Sequence, residues 1–172
     1  MHTGKEVCAT FKPAAENTGY KIVRVDLEEK TEIPALAKYI ELVDRASCLQ
    51  KDRAKVYTLE HAMAALYGCG IDNCVIELSG EEFPILDGSA RYYVEEIQKV
   101  GIEEQQAERR YFSVKKKMEF YCEASDTRIT LLPDDTYSIN TMVAYDSPYL
   151  AMQFASYSEA STDFAKEIAP CR

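Results

Sequence analysis

Thr58-Leu59-Glu60-His61-Ala62-Met63-Ala64-Ala65-Leu66 sets an apolar helix among strand-like runs and puts a carboxylate beside an imidazole at its first turn. Thr58 is a good N-cap residue, and Gly68 and Gly70 supply a stop. Met63, Leu66 and Tyr67 recur at i, i+3, i+4, which predicts one buried face. At a helical N-terminus the free N–H groups and the dipole favour an ionised carboxylate and disfavour imidazolium. Those are the states a general base and a metal ligand require. An acidic first turn beside a lone histidine also occurs in helices that do no chemistry. There is no H-E-x-x-H, and the second histidine of the chain is His2, so spacing alone leaves both readings open.

Working outward, Ile71–Leu78 reads as a strand following the helix. Glu6–Phe11 and Tyr20–Val25 read as two earlier strands, joined as a hairpin across the Pro, Asn and Gly of residues 13–19. Residues 26–57 are mixed, with short strands expected. Pro84-Ile85-Leu86-Asp87-Gly88-Ser89-Ala90 is a loop with an Asp-Gly turn, leading into a helix over 90–100 whose apolar face is Tyr93, Ile97 and Val100. Asp87 is either a turn or cap former or a carboxylate that orients a metal-bound histidine. Residues 103–110 are polar and aperiodic, a linker by composition. Beyond them, 111–122, 127–132 and 137–145 are strand-like, residues 148–154 are a loop or a strand continuation, and a short helix is expected at 161–168 with Ser161 or Thr162 as its cap. The order of elements gives an α+β fold built of two-layer sheet/helix domains. The first, residues 1–106, is complete; the second, 107–172, is truncated, and both chain ends are abrupt.

The net charge of −9 argues against a nucleic-acid partner. Lys115-Lys116-Lys117, set in a strand-like segment, suits a solvated edge better than a phosphate site. The six scattered cysteines (8, 48, 69, 74, 122 and 171) lack a C-x-x-C pair and suit free thiols in a reducing compartment. No apolar run reaches the ~18 residues of a membrane span, and no signal segment opens the chain, so a cytoplasmic location is expected.

Four segments taken together, His2-Thr3-Gly4-Lys5, Thr58-Leu59-Glu60-His61, Gly70-Ile71-Asp72-Asn73 and Pro84-Ile85-Leu86-Asp87-Gly88-Ser89-Ala90, resemble the N-terminal half of the UDP-3-O-acyl-N-acetylglucosamine deacetylases, the LpxC family. The ending Glu167-Ile168-Ala169-Pro170-Cys171-Arg172 is similar to the Bacteroidetes branch, in which a 3-hydroxyacyl-carrier-protein dehydratase is often fused to the deacetylase. The resemblance implies a Zn2+-dependent amidohydrolase of lipid A biosynthesis in Gram-negative bacteria, acting on UDP-3-O-acyl-N-acetylglucosamine. It implies Glu60 as general base and His61 as the first zinc ligand. It further implies His2 near the site mouth, able to touch an inhibitory metal, and Asp87 as outer support. The family's other two zinc ligands lie in a later His-Lys-x-x-x-Asp type segment, which this sequence does not contain, as it does not contain the later catalytic histidine or the oxyanion threonine. These 172 residues alone are therefore expected to be inactive. A non-catalytic interaction module that keeps the fold is the alternative, and an unrelated domain with chance motifs is a further one.

Overall fold

The computed structural model describes residues 4–43 and 47–172; His2 lies outside the described residues. The strands are β1 (Ala9–Pro13), β2 (Tyr20–Arg24), β3 (Glu32–Pro34), β4 (Ile40–Glu41), β5 (Cys48–Lys51), β6 (Ala54–Tyr57), β7 (Cys74–Leu78), β8 (Met118–Cys122), β9 (Thr127–Leu131), β10 (Ser138–Val143) and β11 (Gln153–Ser158). The helices are α1 (Glu60–Gly68) and α2 (Arg91–Val100). The short helix expected over 161–168 is a π-helical turn at Phe164–Ile168. Mixed sheet and helix make this an α+β chain.

Two compact units divide it: Met1–Glu108 with Phe164–Arg172, and Arg109–Asp163. The final segment thus belongs with the first unit, where sequence order alone would leave it in the second.

The first unit is built around β7. Its alternation is complete: Cys74, Ile76 and Leu78 are buried, and Val75 and Glu77 face the other way. The expected hairpin between the first two strands does not form. β7 lies between them, antiparallel to β1 and parallel to β2, with β3 on the far side of β2. The 13–19 turn must therefore span a strand's width on either side of β7, and its end is tied by Gly19 N–H donating to the Asn73 side chain at 2.9 Å. The register aligns Phe11, Ile76, Ile22 and Ile33 in one row across all four strands. Ile22, Ile33 and Ile76 are fully buried in that row; each such side chain contributes about 1.5–3 kcal/mol. The opposite face carries ion pairs, Lys12–Glu77 at 2.7 Å and Lys21–Glu32 at 3.0 Å. A second, antiparallel sheet orders β4-β5-β6.

Both helices supply core residues to this unit, and the expected stripes hold at Met63, Leu66, Tyr93 and Ile97 but fail at Tyr67 and Val100. In α1 the buried residues are Ala62, Ala65 and Leu66, while Tyr67 is exposed. In α2 they are Tyr93 and Val94, while Val100 is exposed. The small alanines let α1 lie close in the core, so the buried stripe is centred on Ala62, Ala65 and Leu66, with Met63 packed at its margin and Tyr67 outside it. The α1 stop is a Schellman motif: Ile71 N–H bonds Leu66 O at 3.0 Å and Gly70 N–H bonds Tyr67 O at 2.9 Å, with Gly70 at φ 72°. Gly68 is not part of that stop but the last helical residue.

Polar anchors complete the unit. Arg24 is buried and grips both oxygens of Asp26, at 2.8 and 2.7 Å, while a third nitrogen donates to Lys55 O at 2.6 Å. The Arg24 bonds hold the Asp26 carboxyl below its usual range. A depressed carboxylate stabilises the fold above its unfolded value of 3.8 and loses that contribution as pH falls through the folded value. Asp26 is itself partly exposed to solvent, so Asp26→Asn is expected to cost only about 0.5–1.5 kcal/mol at pH 7 and to flatten the acid side of the stability profile; urea melts at pH 7 and pH 3 measure both. The polar stretch near 105 is also anchored: Gln105 donates to Ala14 O at 2.8 Å, and the Gln106 and Ala107 amides donate to Glu16 at 2.8 and 2.9 Å.

The second unit, taken by itself, holds two antiparallel ribbons, β8–β9 and β10–β11. β8 begins at Met118, later than the strand expected from 111, so the three lysines precede it, and Lys117 pairs with Glu119 at 3.0 Å. Asp126 takes the left-handed conformation that closes the first ribbon. Residues 148–152 are irregular, in keeping with the loop expected at 148–154, and β11 begins at Gln153; Met142 stands opposite Phe154 and Ile139 opposite Tyr157.

Candidate functional site

The residue before α1 sets the site. Thr58 does not cap the helix; it has φ 58°, a conformation β-branched residues avoid. Such backbone costs of the order of 1–3 kcal/mol and persists only when its surroundings over-determine it. Here they do. Thr58 is buried, its N–H donates to Ser47 O at 2.9 Å, and its hydroxyl donates to the buried Glu82 carboxylate at 3.3 Å. On either side of that bond, Tyr57 N–H donates to Glu81 O at 2.8 Å and Phe83 N–H to Tyr57 O at 3.0 Å. Leu59 then occupies the cap position, with no side-chain hydrogen bond to the first turn.

Glu60 and His61 leave this turn together. Both line one cavity of about 300 Å³, walled also by Ala64, Ala90, Phe164, Ile168 and Cys171. Glu60 is exposed and His61 half-buried. A carboxylate and an imidazole that share an apolar-flanked hollow can accept a proton from water and ligate a cation.

Ala90 reaches the cavity from the Asp87 turn. Asp87 accepts from the Ser89 amide at 3.1 Å, the Ser89 hydroxyl at 2.7 Å and Arg91 at 3.0 Å. The Ser89 hydroxyl bond, with Arg91 nearby, holds its carboxyl below the usual range. The Asp87 carbonyl in turn accepts from Arg172 at 2.9 Å. Asp87 therefore orders the turn that begins α2. Tyr93 closes the same loop by donating to Pro84 O, and its burial pushes its hydroxyl pKa far up.

In the wall formed by Phe164 and Ile168, Ile168 lies in the family-like ending but Phe164 belongs to no motif. Its signal in the sequence is Gly68: a Cβ there would penetrate the Phe164 ring, so the glycine is the seat on which that ring rests. Cys171 is exposed beside the cavity and donates to Glu167 O at 3.1 Å. Cys48, Cys69 and Cys74 have thiols pushed up by burial, which suits packing rather than reactivity. Among the described residues no helix is long and apolar enough to cross a membrane.

The family model described as LpxC: UDP-3-O-acyl N-acetylglycosamine deacetylase matches residues 1–172. The chain is similar to the bifunctional enzyme LpxC/FabZ of Bacteroides thetaiotaomicron, 47% identical over 172 residues, covering 100% of this chain and 37% of that protein. The bifunctional enzyme LpxC/FabZ of Porphyromonas gingivalis matches to the same extent, 47% over 172 residues and 37% of its length. The UDP-3-O-acyl-N-acetylglucosamine deacetylase of Marinobacter nauticus is 37% identical over 174 residues, covering 100% of this chain and 57% of that protein. The chain thus spans less than two thirds of each of these relatives. With a match along all of its residues, it belongs to the LpxC family of UDP-3-O-acyl-N-acetylglucosamine deacetylases.

Proposed function

We propose that the protein carrying this chain hydrolyses the acetamide of UDP-3-O-acyl-N-acetylglucosamine, releasing acetate and the free amine, as a zinc-dependent step of lipid A synthesis in the cytoplasm of a Gram-negative bacterium. The observation that supports this is the placement of Glu60 and His61 on one cavity at the start of α1.

The donors present fit part of a zinc site. A catalytic zinc takes about three protein ligands. Among the described residues no group of three His, Cys, Asp or Glu side chains could hold a metal, and His61 offers one imidazole. The resemblance assigns the other ligands to a later His-Lys-x-x-x-Asp type segment. Bound zinc supplies Lewis-acid polarisation and a more acidic water. Glu60 accepts the proton of the attacking water, and Ala64, Ala90, Phe164 and Ile168 give that carboxylate an apolar flank. Asp87 contributes through the turn that carries Ala90. The LpxC/FabZ relatives extend the proposal to a fused dehydratase in the full gene product.

The test is acetate release by the full gene product before and after chelation. Activity should vanish on metal removal and return with zinc; metal-independent turnover would refute the assignment. Residues 1–172 expressed alone should show neither turnover nor stoichiometric zinc.

A further inference from the structure

We propose that Thr58 and Glu82 form a positioning pair that fixes the direction in which Glu60 and His61 leave the first turn of α1. The inference rests on the deacetylase reading above. A threonine held at φ 58° aims the chain from β6 into the helix along a path that its own backbone disfavours. Glycine would take that conformation freely, but it lacks the hydroxyl. The hydroxyl bonds Glu82, whose carboxylate is buried at 3% residue exposure, a place where acidic residues are rare without a purpose.

Glu82 has a second connection. It stands at the head of the segment 83–90, which runs into α2 and carries Ala90 to the cavity. The Tyr57–Glu82 bridge and its flanking amide bonds run alongside the Thr58–Glu82 bond. One clamp therefore holds both approaches to the cavity, the α1 start with Glu60 and His61 and the loop that delivers Ala90. Reactions that depend on a positioned base are sensitive to displacements of about 1 Å, so loosening this clamp acts on turnover more than on substrate binding.

The experiment uses the full gene product with three substitutions at Thr58 and one control. Thr58→Val keeps the shape and removes the hydroxyl. Thr58→Gly removes the hydroxyl but accepts the positive φ, so it folds without strain. Thr58→Ser restores the hydroxyl. Valine and glycine should lower kcat about tenfold or more with KM within about twofold and zinc content unchanged, while serine recovers kcat to within about threefold of the parent. Wild-type kcat in both Thr58→Val and Thr58→Gly, with Glu60→Gln inactive, overturns the pair and leaves the deacetylase reading standing. A rise in KM alone, or a lowered melting temperature with kcat intact, also overturns it. Full activity in Glu60→Gln removes the reading itself, and this proposal with it.

Discussion

Glu60→Gln should abolish most turnover in the full gene product while leaving its zinc in place. The amide is nearly isosteric with the carboxylate and cannot take a proton from water. Loss of a positioned general base costs about 10²–10⁴ in rate. His61 is untouched by the change, so metal content measured by atomic absorption should stay at the parent value. His61→Ala should show the reverse order of events, with metal lost first and activity lost as a consequence. Steady-state rates and metal analysis on the same preparations separate the two roles. A Glu60→Gln enzyme that retains a tenth or more of the parent kcat sinks the base assignment.

Gly68→Val should destabilise the first unit and strip the cavity of one wall. The new side chain would have to occupy the space of the Phe164 ring. A ring is rigid and cannot fold away like the end of a lysine, so either the π-helical turn lifts or α1 shifts. Overpacking of this kind costs about 1–3 kcal/mol. The buried Ala169 and the cavity-lining Ile168 and Cys171 ride on the same segment. Limited proteolysis should then cut near 160–170 faster than in the parent, with a lower urea midpoint. Phe164→Ala in the Gly68→Val background should recover part of the loss, since it vacates the contested space. Equal midpoints for Gly68→Val and the parent would mean that the seat is not needed.

How much of this was legible beforehand differs from element to element. The apolar period around residues 62–66 and the strict alternation of 74–78 are local signals, and α1 and β7 formed where those signals lie. The pairing of β1 and β2 is not legible locally, because a turn-rich loop speaks only for a change of direction. Which strand fills the gap is decided by a sequence more than fifty residues away, and β7 fills it because it is apolar enough to be central. Thr58 departs from the expected cap for a similar reason. Its residue type fits a helix cap, but burial beside Glu82 and a bond to Ser47 turned its backbone to positive φ. Val100 and Tyr67 fit a helical period yet face out, since periodicity defines a stripe without saying where the core lies. For the candidate site, Glu60 and His61 stand out as residues; the 164–172 segment is legible as a short helix and a family-like ending, but nothing local says that it packs against Gly68 and walls their cavity.

The central place of β7 also dictates an order of assembly. β5 and β6 meet across a tight turn at Asp52-Arg53 and can zip as soon as they exist. β1 has no such option and waits for residues 74–78; β2 can pair early with β3, but its parallel contact with β7 closes a loop that runs from Tyr20 to Cys74. Closing so long a loop is slow compared with forming a hairpin. On the ribosome, β1 therefore emerges unpaired, and β2 keeps one edge open, until the chain has grown past Leu78. That interval leaves strand edges of the nascent first unit open to chaperone capture, and its length is set by the distance from β2 to β7 and the speed of translation.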